Sequence, residues 1–228
     1  MFALGVNTNW QAGAVVEKAY TISGKDAPSF ADTGDFERTN AFSYAAWVRV
    51  KGDETGALFA RMADPDAGYR GWDCWLEGGK PTIHLVHDWP KNAIKVSVKN
   101  MLPKERWNLV CVTYDGSSLA KGVNIYVNGE RQETTILNDN LTESTRTTVP
   151  FKLGQRNSGS GVEKAGLQDV KIFTRELKSG EVASLMTPHW QWLRINRNGR
   201  QMKRKNYLRT GSIIMMASIG NCSRRGTG

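Results

Sequence analysis

Apolar residues recur at every second position through the middle of the chain. In Phe42-Ser-Tyr-Ala-Ala-Trp-Val-Arg-Val50, residues Phe42, Tyr44, Ala46, Val48 and Val50 share one face, the period of a strand with one buried side. Residues 56–62 form a second apolar run after a charged turn. Residues 72–77 and 81–87 flank Gly78-Gly79, a two-glycine hairpin signal. Lys95-Val-Ser-Val-Lys99 alternates cleanly. Residues 107–114 are apolar on both faces, as a central strand covered on each side must be. Val123-Asn-Ile-Tyr-Val127 stops at Asn128-Gly129, two residues that tolerate the positive φ of a type I′ turn. That register predicts Ile125 and Val127 pointing inward beside Trp107, Leu109 and Cys111. Residues 151–154 and 166–173 complete the set.

Short strands with regular turn chemistry and no helical period predict an all-β fold, a two-sheet antiparallel jelly-roll sandwich. One short helix is predicted after the last strand, over 177–185, with Ser179 as N-cap and Val182 and Leu185 on one side. The alternation stops near Leu185. The chain of 228 residues therefore divides into 1–18, a remnant of a preceding segment or linker, a globular 19–186, and a tail, 187–228.

Charge sharpens that division. The formal net charge is +9, yet from Thr187 onward there are nine Lys or Arg and no Asp or Glu, leaving 22 basic against 22 acidic residues before it. The basic excess belongs to the tail, so no nucleic-acid partner is predicted for the sandwich. No apolar run approaches the roughly 20 residues of a spanning helix, so no membrane span is predicted. The opening Met-Phe-Ala-Leu lacks the basic start of a signal peptide, and the residues themselves leave localisation open. Cys74, Cys111 and Cys222 show no Cys-x-x-Cys spacing; Cys74 and Cys111 read as small core residues.

Three segments carry a resemblance. Trp107-Asn-Leu-Val-Cys-Val-Thr-Tyr-Asp-Gly116, Val123-Asn-Ile-Tyr-Val-Asn-Gly129 and Gly166-Leu-Gln-Asp-Val-Lys-Ile-Phe-Thr-Arg-Glu-Leu177 resemble, in order and spacing, successive strands of laminin-G-like, concanavalin-A-like jelly-roll domains. The likeness covers about residues 19–186. More narrowly, Gly68-Tyr-Arg-Gly-Trp-Asp-Cys-Trp-Leu-Glu-Gly-Gly79 and Asp88-Trp-Pro-Lys-Asn-Ala-Ile-Lys-Val96 resemble the version inside large planctomycete-type cytochrome c proteins. The resemblance implies a secreted or periplasmic setting and a protein or glycan partner. Haem is expected only in such a parent protein, because no Cys-x-x-Cys-His is present here.

The tail supports two readings. One is a basic disordered arm. The other is a shifted reading frame: with suitable synonymous codons, Asn198 to Ser223 read from each third base encode RTADEKKELFTYWLYHYDGEYRKLQ. That string is charge-balanced and resembles the segment following this domain in the planctomycete proteins.

Jelly-roll glucanases carry closely spaced paired carboxylates. No Glu-x-Asp-x-Glu occurs here, and Asp73, Glu77 and Asp88 read as isolated, so no enzyme activity is expected. His84 and His87, three apart on a strand, are sent to opposite faces and read as ordinary strand histidines. No glycine-rich loop precedes a helix, so no nucleotide cofactor is indicated. Two binding features remain. By resemblance, Asp169 in the last strand joins backbone carbonyls of an early loop, Gly24-Lys25-Asp26, to hold a structural Ca²⁺; the alternative is that Asp169 caps a neighbouring backbone group. Tyr69, Trp72, Trp75 and Trp89 cluster around two loops, and Tyr69, Trp72 and Trp89 are the expected sugar-stacking residues, with Trp75 and Trp72 alternatively core. The expected function is a non-catalytic binding module, a fragment of a larger secreted protein; the alternative is a lectin-like carbohydrate-binding domain.

Overall fold

The computed structural model of the chain describes residues 10–15, 17–24, 27–187 and the backbone of 212–214. Among the described residues fifteen strands form two antiparallel sheets. In chain order they are β1 (Trp10–Ala12), β2 (Lys18–Thr21), β3 (Ser29–Phe30), β4 (Phe42–Arg49), β5 (Gly56–Met62), β6 (Gly71–Glu77), β7 (Lys80–Asp88) and β8 (Asn92–Val98). β9 (Trp107–Tyr114), β10 (Val123–Val127), β11 (Glu130–Arg131), β12 (Thr134–Asp139), β13 (Phe151–Leu153), β14 (Gly166–Phe173) and β15 (Ser212–Ile214) follow. The first sheet runs β1-β2-β14-β4-β9-β10-β11, with β15 added against β14; the second runs β12-β8-β7-β6-β5-β13-β3. Non-consecutive neighbours in both sheets make this the predicted jelly-roll sandwich.

Alternation builds the core. Phe42, Tyr44, Ala46, Val48 and Val50 are all buried and enter the layer between the sheets, where Leu58, Phe59, Trp72, Ile83, Leu85, Ile94, Val96 and Phe151 meet them. The hairpin turns follow their chemistry. Gly78-Gly79 (φ 57° and 75°) joins β6 to β7 with Glu77 opposite Lys80. Asn128-Gly129 (φ 54° and 83°) joins β10 to β11 with Val127 opposite Glu130. Both are two-residue turns with positive φ at each central position, as type I′ requires.

The central strand β9 is covered on both sides, as predicted. Its inward residues, however, are Val110, Val112 and Tyr114, with Ile125 directly opposite Val112. Ile125 and Val127 do face inward, but Leu109 and Cys111 lie on the opposite face, against Tyr126, Phe173, Leu177 and Val182. The expected partners of Ile125 were thus one residue out of step, because a strand apolar on both faces carries no parity signal. That outer cluster is roofed by the predicted helix, α1 (Ser179–Ser184). Its N-cap is Lys178 and not Ser179; Glu181 accepts the Lys178 backbone N–H at 3.0 Å and pairs with Arg175.

Strand pairing also extends beyond residues 19–186. The sheet begins before residue 19: β1 pairs with β2, and Trp10 packs against the core. The stretch 187–228 does not lie wholly outside the sheet, since Ile214, Ile213 and Ser212 pair with Lys171, Ile172 and Phe173. The edge strands β3, β11 and β12 lacked any marked pattern in the sequence. Cys74 and Cys111 are buried free thiols, as predicted, and burial pushes the Cys111 thiol up to about 12; Cys222 lies outside the described residues. No helix among the described residues is long and apolar enough to cross a membrane.

Candidate functional site

Polar and aromatic side chains collect on the outward face of the second sheet. Alternation along β6 sends Trp72, Cys74 and Leu76 into the core and turns Asp73, Trp75 and Glu77 outward. Strand register then sets Ala60, Asp73, His84 and Lys95 in one row across β5, β6, β7 and β8. Trp75, Thr82 and Ser97 form the next row. Beneath one end lies a small apolar patch, Ala60, Met62, Val86 and Ala93, against which Tyr69 and Trp89 pack.

Asp73 organises the face. It is 0% exposed although it points outward. Its Oδ1 accepts from the His84 backbone N–H at 3.1 Å and from His84 Nδ1 at 2.8 Å. Its Oδ2 accepts from Arg156 Nε at 2.9 Å and Nη2 at 2.7 Å. Burial pushes the Asp73 carboxyl up, but the charges of His84 and Arg156 and their hydrogen bonds outweigh it and hold the group below the usual carboxylate range. A carboxylate can only accept, so His84 donates from Nδ1 to Asp73.

Aromatic rings frame this charged centre. The Arg156 guanidinium lies 4.1 Å over the Trp75 ring and 5.2 Å over that of Tyr69, both within cation–π range. The His84 ring stands edge-on to Trp75 (6.2 Å, 82°) and to Trp89 (5.4 Å, 85°). Lys95 Nζ sits 5.8 Å over Trp89 and pairs with Glu77 at 2.9 Å. Arg156 comes from the loop between β13 and β14, which Asp64 anchors by accepting from Asn157 Nδ2 and Ser158 Oγ, each at 2.6 Å. Tyr69, Trp75 and Trp89 remain half-buried, with area left for a ligand.

The expected sugar-stacking residues are only partly assembled. Tyr69 and Trp89 sit on this face. Trp72 does not: it is 1% exposed, and its Nε1–H donates to the Gly34 carbonyl at 2.6 Å among Phe36, Phe42, Tyr44 and Phe151. Trp75, a member of the same aromatic cluster for which the core was the alternative, faces outward in its stead. Arg156, Asp73 and His84 were missed, although alternation already groups Asp73, Trp75 and Glu77 on one face. His84 and His87 are separate, as predicted; the His87 ring donates from Nδ1 to the Ser144 carbonyl at 2.8 Å.

Neither acidic residue of β6 is a free acid or base. Both Asp73 oxygens are committed, and Glu77 pairs with Lys95. Asp169 occupies an irregularity of β14 opposite β4 at φ 53°, and its carboxylate pairs with the Lys171 ammonium. That ammonium competes with a cation for the same oxygens. Lys25 and Asp26, the rest of the expected calcium loop, lie outside the described residues. Among the described residues no three His, Cys, Asp or Glu side chains group to hold a metal.

A family model described as the concanavalin A-like lectin/glucanases superfamily, in its laminin-G form, matches residues 23–183, and the chain belongs to this superfamily. Among solved structures it is similar to the binding domain of paraclostridial mosquitocidal protein 1, with TM-score 0.58, 16% identity, and coverage of 81% of this chain and 46% of that one. It is similar to the binding domain of botulinum neurotoxin serotype G, with TM-score 0.57, 16% identity, and coverage of 85% and 46%. It is also similar to domain 4 of AbnA, an extracellular arabinanase of Geobacillus stearothermophilus solved with arabinotriose, with TM-score 0.51, 16% identity, and coverage of 80% and 82%. At these identities the likeness shows the fold, and the chain spans about half the length of the first two. No curated protein sequence matches the chain.

Proposed function

We propose that this domain is a non-catalytic glycan-binding module and that it binds through the outward face of the second sheet. One observation carries the reading. Tyr69, Trp75 and Trp89, distant in sequence from Arg156, are held half-exposed around a buried Asp73 that fixes both Arg156 and His84. Aromatic faces offer a sugar ring apolar area, and fixed polar groups beside them offer its hydroxyls partners. The arabinotriose bound to domain 4 of AbnA supports a saccharide on this fold. Binding rather than hydrolysis is favoured because a glycosidase needs one free ionised and one protonated carboxyl, whereas Asp73 and Glu77 are both engaged.

The setting we propose is a larger secreted protein of the planctomycete cytochrome c type. The two segments carrying that narrower resemblance, 68–79 and 88–96, supply Tyr69, Asp73, Trp75, Trp89 and Lys95, the bulk of the face. A glycan array probed with the purified chain tests the module. Retention of one or more saccharides, lost in Trp75→Ala while that variant still melts cooperatively, supports it. Silence across neutral and charged glycans overturns it.

A further inference from the structure

Arg156 and Tyr69 meet on the face but come from different loops, the first between β13 and β14, the second between β5 and β6. Asp64, also in the β5–β6 loop, joins them. Its carboxylate takes three hydrogen bonds from the Arg156 loop: Asn157 Nδ2 donates to Oδ2 at 2.6 Å, and Ser158 donates to Oδ1 from Oγ at 2.6 Å and from its backbone N–H at 3.2 Å. Its backbone carbonyl accepts the Tyr69 N–H at 3.1 Å and the Ala67 N–H at 3.0 Å. One backbone bond, from the Asn157 N–H to the Met62 carbonyl at 3.2 Å, supports the same junction.

Both of the groups so held need holding. Tyr69 has φ 56°, a left-handed conformation that a residue with a large side chain rarely enters. Strain of this kind persists only where its surroundings enforce it, and it clusters at ligand sites. Asp73 pins the Arg156 guanidinium, but the chain that carries Arg156 is tied down next door, through Asn157 and Ser158. A ligand that meets side chains already in place pays less to order them. Resting on the glycan-binding reading above, we infer that Asp64 is the positioning residue of the face: its carboxylate locks the Arg156 loop to the Tyr69 loop, so that Arg156 stands over Trp75 and Tyr69 before a saccharide arrives.

The experiment uses the full chain, with arabino-, xylo- and gluco-oligosaccharides as probes. The nitrogen-labelled protein is observed first without ligand. The Arg156 guanidinium lies 4.1 Å over the Trp75 ring, whose ring current displaces the Arg156 Nε–H proton signal, and Trp75→Ala measures by how much. Asp64→Ala is expected to abolish at least half of that displacement, because the guanidinium leaves the indole. Calorimetric titration is expected to show a roughly three- to tenfold loss of affinity for the probe the wild type retains, the cost of ordering a long side chain on binding. Ser158→Ala, which deletes one donor to Asp64, is expected to move both readouts the same way by less, and to add little when combined with Asp64→Ala. Should Asp64→Ala fail to melt cooperatively, Ser158→Ala carries the same test. Either readout unmoved, even with a lowered melting temperature, overturns the inference and leaves the glycan-binding face standing. Retention of no probe by the wild type overturns both.

Discussion

Replacing Trp72 with alanine separates the core from the proposed ligand face most sharply. Trp72 is 1% exposed, its ring lies 5.4–5.8 Å from those of Tyr44, Phe42, Phe36 and Phe151, and its Nε1–H meets the Gly34 carbonyl at 2.6 Å. Truncating a core tryptophan costs about 3–5 kcal/mol through lost burial and the cavity left behind. Orphaning the Gly34 carbonyl adds roughly 1 kcal/mol. The expected loss of ~4–6 kcal/mol is a large share of the ~5–15 kcal/mol that holds an ordinary domain folded. Trp72→Phe keeps most of the ring and loses the hydrogen bond, so it should cost about 1–3 kcal/mol. Trp75→Ala, on the outward face, forfeits mainly its contact with Arg156 and should cost under about 2 kcal/mol. Urea unfolding followed by far-ultraviolet circular dichroism measures all three. A Trp72→Ala protein within 1 kcal/mol of wild type (roughly the scatter of surface substitutions) would refute the assignment of faces along β6.

Other outcomes follow from the same packing. Ile125, fully buried opposite Val112, should lose about 2–5 kcal/mol as alanine, whereas the half-exposed Asn124→Ala should be mild; equal losses in denaturant unfolding would put the β10 register in error. Gly71 has φ +129°, and an added Cβ would lie 2.0 Å from the Arg61 carbonyl oxygen, so Gly71→Ala should unfold the β5–β6 pairing, and a wild-type melting curve would contradict this. Acid should weaken the fold. Asp73 is held low by His84 and Arg156 against its burial, Asp64 by Ser158 and Asn157, and Glu181, by Arg175, at about 2. Each binds protons less readily folded than unfolded, so its contribution is complete above the ordinary values of 3.8–4.5 and is lost as pH falls through the depressed ones. Urea midpoints should decline from about pH 4.5 downward, and a midpoint flat to pH 2 would contradict those ion pairs.

Much of this fold is legible in the chain because one-sided strands advertise their parity. Phe42 to Val50 and the glycine turns after β6 and β10 need no structure to place. Parity fails where both faces are apolar, as in β9, and where a strand is two or three residues at an edge, as in β3 or β1. The proposed ligand face is half legible. Tyr69 and Trp89 stand out as aromatics near turns, and the alternation of Asp73, Trp75 and Glu77 identifies Trp75 as the outward tryptophan of its strand. Trp72 misled because its position beside a loop outweighed its place in the Trp72, Cys74, Leu76 series. Arg156 lies 83 residues from Asp73, and nothing local marks it as the partner of a buried carboxylate.

Indole N–H resonances report directly where a saccharide lands. The chain has eight tryptophans, of which Trp75 and Trp89 border Arg156 and His84, Trp72 is in the core, and Trp47 packs on the opposite, helix-covered side of the first sheet. Titrating the nitrogen-labelled chain with a neutral oligosaccharide that it retains should shift the Trp75 and Trp89 indole signals and the Arg156 Nε–H. Trp72 and Trp47 should stay in place. Shifts confined to Trp47 and its neighbours, with Trp75 and Trp89 unmoved, would place the ligand on the other sheet and contradict the account.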